Sequence, residues 1–177
     1  MLSVVRGYTF LECSQLTNVY LPNVTELMIY AFGRSGLTQA DFPKATTVGQ
    51  SCFSGCGNLQ SAILPSAQTL SESAFYNCSN LLSVNIPNVT STGPYALERC
   101  VNLEEVGVLE NLQIIGDATF RNCNKINEFV APKLTSVGNG GFSITNNLTP
   151  SLTKIDAPNL KEIGSQCFMG QSYLKTV

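Results

Sequence analysis

The stretch LLSVNIPNVTSTGPYALERC, residues 81–100, contains one nearly complete copy of a pattern that recurs along the whole chain. When the chain is aligned on its phenylalanines, successive copies are about 22 residues apart, except for one longer step between Phe142 and Phe168. Self-similarity at a fixed period of this size is typical of solenoids, in which each structural unit stacks on the next. The aligned anchor positions are Phe10, Phe32, Phe53, Phe75, Leu97, Phe120, Phe142 and Phe168.

Each copy follows the frame L-x-x-V-x-I-P-x-V-x-x-I-G-x-x-A-F-x-x-C, whose parts predict local structure. The V-x-I spacing has the two-residue period of a strand, and the proline that follows ends this strand because it cannot donate to a sheet ladder. The glycine indicates a second turn, and the phenylalanine and cysteine three residues apart indicate one turn of a helix. A single coil of this kind cannot bury its apolar side, so the coils must stack.

The sequence therefore predicts an α/β repeat fold in which residues 1–177 form a single solenoid domain. We expect about seven to eight coils of about 22 residues, with a parallel β-sheet on one face and short helical turns and extended segments on the others. Neither end carries a recognisable cap, and an uncapped solenoid exposes its core and an edge strand. Self-association of the chain end to end is therefore a further expectation.

The seven cysteines follow the same repeat. Those in the cysteine column fit a narrow slot as small buried hydrophobic residues, which is how free cysteines commonly behave. Two alternatives remain open: a disulfide between adjacent coils, such as Cys56 to Cys78, or a metal site at Cys52 and Cys56. We favour packing, because stacked side chains point in parallel and an odd number of thiols cannot all pair. The column contains Cys13, Cys56, Cys78, Cys100 and Cys123, while Cys52 and Cys167 directly precede an anchor.

Composition excludes several classes of function. Charged residues make up 12% of the chain, the net charge is −2 and no basic run occurs, which argues against nucleic acid and anionic membranes as partners. We find no apolar stretch long enough for membrane insertion and no signal peptide. The chain has no histidine, so the commonest general base and a principal metal ligand are missing. We therefore predict a protein that is not an enzyme and has no catalytic residues, no cofactor and no metal.

The anchor segments carry a resemblance to a known family. The continuation I-G-x-x-A-F-x-x-C-x-x-L, clearest in VGQSCFSGCGNLQSAILP (48–65) and IGDATFRNCNKINEFVAP (115–132), resembles the BspA-like class of leucine-rich repeats. This class occurs in surface proteins of bacteria and some protozoa. The resemblance implies a curved solenoid within a larger protein at the cell surface or secreted from the cell, associated with adhesion. The chain departs from the pattern at Leu97, which replaces phenylalanine, and at Ser35, Thr145 and Gln171, which replace cysteine.

Binding residues are expected on the sheet face, because neighbouring strands present outward side chains at fixed spacing. We predict a non-enzymatic binding or adhesion module that offers this rigid face to a protein or glycan partner. The alternative is a structural spacer with no ligand of its own. Asn146 and Asn147, in the longest repeat, form a second candidate site in an inserted loop. The candidates on the sheet face are Tyr20, Asp41, Ile63, Asn85, Glu105, Glu128, Val130 and Asp156.

Two further groups of residues have a simpler interpretation. Glu104, Glu105 and Glu110 cluster around one strand, and we expect them to form a solvated acidic rim rather than a catalytic pair. Four N-x-S/T sequons occur, and at least the recurring P-N-V-T sequence is a product of the repeat itself. We expect these sequons to carry glycans only if the source is eukaryotic. They begin at Asn23, Asn77, Asn88 and Asn147.

Overall fold

The chain forms a stack of coils in a computed structural model that describes residues 2–145 and 148–177. Each coil contributes very short strands, and all strand pairs are parallel, which confirms the predicted repeat solenoid. In the described residues the thirteen strands are β1 (Val4–Val5), β2 (Glu26–Leu27), β3 (Gln39–Asp41), β4 (Thr47–Val48), β5 (Ser61–Ile63), β6 (Thr69–Leu70), β7 (Ser83–Asn85), β8 (Ser91–Thr92), β9 (Ile114–Ile115), β10 (Glu128–Val130), β11 (Ser136–Val137), β12 (Lys154–Asp156) and β13 (Glu162–Ile163).

The strands form two rows along the stack. The segments that precede the anchors, expected only to be extended, build the longest sheet, which has eight strands in the order β1-β2-β4-β6-β8-β9-β11-β13. The predicted V-x-I strands build the second row, which we call the sheet face and which is divided into β3-β5-β7 and β10-β12. Pairing is in register from coil to coil, as in Asp41 with Ile63 and Ile63 with Asn85. Like residues therefore lie above like residues, as the repeat predicts.

The anchor segments differ from the prediction, because the described part of the chain contains no helix there or elsewhere. Each segment is a series of overlapping turns, which together form a third side that we call the turn face. In one coil the N–H groups of Ser54 and Cys56 bond to C=O groups of Ser51 and Phe53 at 3.0 and 3.1 Å. The N–H groups of Ser51, Phe53 and Gly55 bond instead to the next coil. A helix would keep all of these bonds within one segment, so bonding between stacked coils replaces it.

This alternation of bonds requires left-handed backbone on both sides of the anchor. Gly55, Asn77, Asn122 and Gly170 follow their anchors by two residues and have φ values of +71°, +57°, +62° and +81°. Glycine and asparagine tolerate this conformation best, which explains their recurrence there. The position two residues before the anchor is also left-handed, and it is occupied by Tyr8, Tyr30, Ser51, Ser73, Tyr95, Ala118, Gly140 and Gln166.

The anchors fill the centre of the solenoid. The ring of Phe53 stacks on Phe32 at a centroid distance of 5.5 Å and on Phe75 at 5.0 Å, with the planes within 12° of parallel. Leu97 interrupts this series, because its side chain is buried but has no ring to stack. Two separate aromatic stacks result, one of Phe10, Phe32, Phe53 and Phe75 and one of Phe120, Phe142 and Phe168.

The cysteine column packs against the anchors, and all seven cysteines are free thiols, so the disulfide alternative is not realised. Four of these thiols donate a hydrogen bond to the C=O of the anchor in the preceding coil, at 3.0 to 3.2 Å. In the last coil the amide of Gln171 replaces cysteine and donates to the C=O of Phe142 at 2.6 Å. The column therefore favours a side chain that supplies a donor to this C=O, which the longer amide of Gln171 can also do. The four thiols are Cys56, Cys78, Cys100 and Cys123.

Burial changes the acidity of these thiols, because a thiolate loses its hydration in the core. Desolvation raises the pKa of Cys100 to about 12 and that of Cys167 to about 11. It also raises the pKa of Cys52, Cys78 and Cys123 well above the ordinary value. These thiols are therefore neutral at physiological pH and poor nucleophiles.

A glycine lies four residues before five of the eight anchors and permits close contact between coils. A Cβ atom on Gly93 would lie 2.6 Å from the backbone N of Glu72, and one on Gly116 would lie 2.7 Å from the C=O of Thr92. Both distances are shorter than any ordinary contact, so a side chain would push the coils apart. The second turn predicted from this glycine is therefore also a point of close backbone contact between coils.

Candidate functional site

One coil of the sheet face contains an extra residue. The buried Val106 and Phe129 occupy equivalent positions in the repeat. Val108, however, pairs with Val130, which directly follows Phe129. One extra residue therefore lies between Val106 and Val108. Gly107 absorbs the difference, and its φ of +63° is the conformation of the first residue of a G1 bulge. The strand ladder is interrupted at this coil, which separates β7 from β10.

The bulge moves an apolar side chain from the core to the surface. The repeat assigns Val108 to the buried column of the strand, but its side chain is 48% exposed. Leu109, the next residue, is 1% exposed and occupies the core position instead. Continuing the strand frame across the extra glycine therefore gives the wrong side for Val108. The longer spacing between Val106 and Phe129, together with Gly107, was the signal that could have corrected it.

A depression of about 650 Å³ lies on the sheet face around this bulge. Val108 and Glu104 contribute to it together with outward side chains of β5, β7 and β10. It therefore brings together five of the eight residues that the sequence proposed for the sheet face. These five are Ile63, Asn85, Glu105, Glu128 and Val130.

The depression combines negative charge with apolar surface. The carboxylates of Glu104, Glu105 and Glu128 are exposed, and within residues 2–145 and 148–177 none of them has a cationic partner within ion-pair distance. Ile63 and Val130 are half-buried beside them. Such a surface fits the side chain of lysine or arginine, whose aliphatic stem covers apolar groups while its charge meets a carboxylate.

The other three residues proposed on the sheet face lie elsewhere. Tyr20 and Asp41 line a separate hollow of about 270 Å³ at the first coils, where Tyr20 is 88% exposed. Asp156 lies in a third hollow, and its carboxylate is paired with the ammonium of Lys154 at 3.1 Å. The residues proposed on the sheet face therefore lie in three separate hollows and do not form a single site.

The remaining predicted residues are those of the inserted loop and of the sequons. Asn146 and Asn147, with the sequon that begins at Asn147, lie outside the described residues. The side-chain amide of Asn88, another sequon residue, donates to the C=O of Pro65 at 2.8 Å. No cluster of three potential metal ligands occurs in the described ranges, and no helix there is long and apolar enough to cross a membrane.

Stacked coils of this length, with an L-x-x-V-x-I strand on one side, define the leucine-rich-repeat class. The model of the BspA-type leucine-rich-repeat region matches six copies, over residues 2–104 and 46–175. The chain belongs to the BspA-type leucine-rich-repeat family. Such repeats are generally non-enzymatic modules for protein interaction.

One solved bacterial structure shares the fold, and two others are similar to this chain. A leucine-rich repeat protein of Treponema pallidum is 22% identical with a TM-score of 0.52, and the match covers 74% of this chain and 72% of that one. A Bacteroides ovatus leucine-rich repeat protein is 17% identical (TM-score 0.39; 98% and 69% covered). A leucine-rich cell surface protein of Faecalibacterium prausnitzii is 20% identical (TM-score 0.44; 88% and 57% covered). No curated protein matches this chain.

Proposed function

We propose that this chain is an attachment module that binds a protein partner on its sheet face, as part of a surface or exported protein. The observation that carries the proposal is the depression around Gly107, in which unpaired carboxylates adjoin exposed apolar side chains. Its partner is a segment that presents lysine or arginine next to apolar residues. The surface location rests on the family alone.

The arrangement supports binding because the depression is carried by a rigid scaffold. Ile63 and Asn85 are fixed by paired strands, and Val130 is paired both with Val108 and with Asp156. A partner therefore meets side chains that are already positioned, which lowers the entropic cost of association. Three carboxylates of one sign also attract a basic partner before contact.

Selection of random peptides on the immobilised protein tests this proposal. We expect the enriched peptides to contain lysine or arginine beside apolar residues and to bind more weakly as salt is added. In fluorescence anisotropy, the triple variant Glu104→Gln, Glu105→Gln and Glu128→Gln should bind these peptides about 10-fold more weakly, a change of about 1.4 kcal/mol. Glutamine keeps the shape of each side chain, so the loss reports charge.

A matched variant controls for net charge. Glu26→Gln, Glu72→Gln and Glu162→Gln remove three exposed carboxylates that do not line the depression. This variant should bind the enriched peptides as the native protein does. Failure to enrich any peptide would favour the spacer alternative. Equal weakening in both triple variants would show that overall charge, and not the depression, governs binding.

A further inference from the structure

A second concave surface lies on the turn face, on four successive coils. We call it the turn-face groove, and its volume is about 400 Å³. Tyr30 lies at one end and Tyr95 at the other, with Ser51 and Ser73 between them at the equivalent positions of the two middle coils. The groove is lined further by Arg34, Ser54, Tyr76 and Glu98.

At each end of the groove, a side chain from the adjoining coil covers one face of the tyrosine ring. The ring of Tyr8 stacks on Tyr30 at 5.6 Å with the planes 15° apart, and the guanidinium of Arg121 lies 5.6 Å from the centre of the Tyr95 ring. Tyr8 belongs to the coil before the groove and Arg121 to the coil after it. The uncovered faces of Tyr30 and Tyr95 are therefore turned towards each other across the groove.

The Arg121 guanidinium that covers Tyr95 is itself fixed by a buried carboxylate. Glu98, whose side chain is 7% exposed, accepts hydrogen bonds from Nη2 and Nε of Arg121 at 2.7 and 2.9 Å. This pair fixes the guanidinium that covers the back of the Tyr95 ring. Rings that are fixed before a ligand arrives lose little freedom on binding.

The fold does not require tyrosine at these positions. Tyr8 occupies the equivalent position of the first coil, but the remaining coils have serine, alanine, glycine or glutamine there, with the same left-handed backbone. Tyr30 and Tyr95 have φ values of +51° and +60°, which are unusual for a bulky side chain. Tyr95 is also 37% exposed, so its ring does not pack in the core. A bulky side chain in an unfavourable backbone conformation at the surface indicates a role in binding.

We propose that the turn-face groove binds an oligosaccharide. A sugar ring presents C–H groups on its faces, and these fit the negatively charged face of an aromatic ring. Its hydroxyl groups need partners that both donate and accept, which serine hydroxyls supply. Three coil steps separate Tyr30 from Tyr95, about 14 Å at the usual strand spacing, which suits a short sugar chain with one ring on each tyrosine.

A proline-rich peptide is the other ligand that aromatic grooves commonly bind. Such a peptide would place apolar proline rings over the hydroxyl groups of Ser54 and Ser73 and remove their water without replacing it. An oligosaccharide replaces these hydrogen bonds, so the hydroxyl-rich floor favours a sugar.

Isothermal titration with a panel of neutral oligosaccharides, namely cellotetraose, maltotetraose, mannotetraose and chitotetraose, tests the proposal. We expect at least one of them to bind the native protein, and the double variant Tyr30→Ser and Tyr95→Ser to bind it about 10-fold more weakly. Serine is the natural residue at the equivalent positions 51 and 73. The double variant should therefore fold, and its thermal stability should equal or exceed that of the native protein.

Two controls make the result decisive. Tyr20→Ser with Tyr173→Ser removes two exposed tyrosines outside the groove and should leave sugar binding unchanged. The triple glutamine variant of the sheet face should also bind the sugar normally, so this proposal can fail or succeed independently of the first. The proposal is overturned if no sugar binds, if both tyrosine variants bind equally well, or if an oligoproline peptide binds in place of every sugar.

Discussion

The buried thiols should make the protein lose stability in alkali. A thiolate is solvated in the unfolded chain but not in the core, so the unfolded state releases its proton first as the pH rises. For Cys100 the ordinary value of 9.0 applies to the unfolded chain, whereas burial in the folded state raises the pKa to about 12. Its stabilising contribution is therefore complete below about pH 9 and is lost as the pH rises towards about 12.

The size of the effect follows from these two values. At about pH 10, a thiol whose pKa rises from 9.0 to about 12 on folding reduces the free energy of unfolding by about 1.4 kcal/mol. Chemical denaturation of the native protein and of Cys100→Ala at about pH 8 and about pH 10 measures it. The substitution also removes packing and the hydrogen bond to the C=O of Phe75. These losses do not depend on pH, so they cancel when the two pH values are compared.

We expect the stability of the native protein to fall between these pH values by about 1.4 kcal/mol more than that of Cys100→Ala. A reagent that labels thiols provides an independent check. It should modify the exposed Cys13 rapidly in the folded protein and the six buried cysteines only after unfolding. Cys13 was predicted to be buried with the rest of its column, but it is exposed in the first coil. Equal pH dependence in the two proteins, together with rapid labelling of all seven thiols, would refute the conclusion that the other six cysteines are sealed in the core.

Two other substitutions test the packing. Phe53→Ala removes a ring stacked on both sides and should cost about 4 kcal/mol in denaturation experiments, whereas Phe168→Ala, with one stacked neighbour and a half-buried side chain, should cost about 2 kcal/mol. Equal costs would contradict the stacked arrangement. Gly107→Ala has open space around its Cβ and should cost only about 1 kcal/mol for its left-handed backbone, whereas Gly116→Ala must separate two coils and should cost about 3 kcal/mol. The reverse order would show that the bulge, and not the close contact, is the constrained position.

Periodicity predicted the parts of the fold that every coil repeats. Phe53 and Cys100 recur in the frame because each coil buries the same side, so their burial could be read from spacing alone. Spacing alone could not decide between a helical turn and a series of overlapping non-helical turns in the anchor segments, because an i, i+3 pair fits both. Several N–H groups of these segments bond to the neighbouring coil instead of within the segment, and this competition for hydrogen bonds appears only when the coils are stacked.

The candidate sites depend on departures from the repeat. Val108 became part of the sheet-face depression through one additional glycine, which shifted a single strand by one residue. Tyr30 and Tyr95 gave no signal, because tyrosine does not indicate left-handed backbone and only the stacked coils place their rings opposite each other. Sequence reasoning therefore found the scaffold more readily than the surfaces that it carries.

The coil between Leu97 and Phe120 has a mechanical consequence. Here the aromatic stack stops at Leu97, and the sheet face is broken at Gly107, whereas the eight-stranded sheet continues through β8 and β9. The centre of the stack and the sheet face are thus interrupted at the same level, while the eight-stranded sheet continues, as do the hydrogen bonds of the turn face, such as that from the N–H of Leu97 to the C=O of Thr119 at 3.0 Å. If the protein is loaded in tension between an anchored end and a captured partner, we expect the core and the sheet face to separate first at this level, while the eight-stranded sheet and the turn face keep the two halves joined.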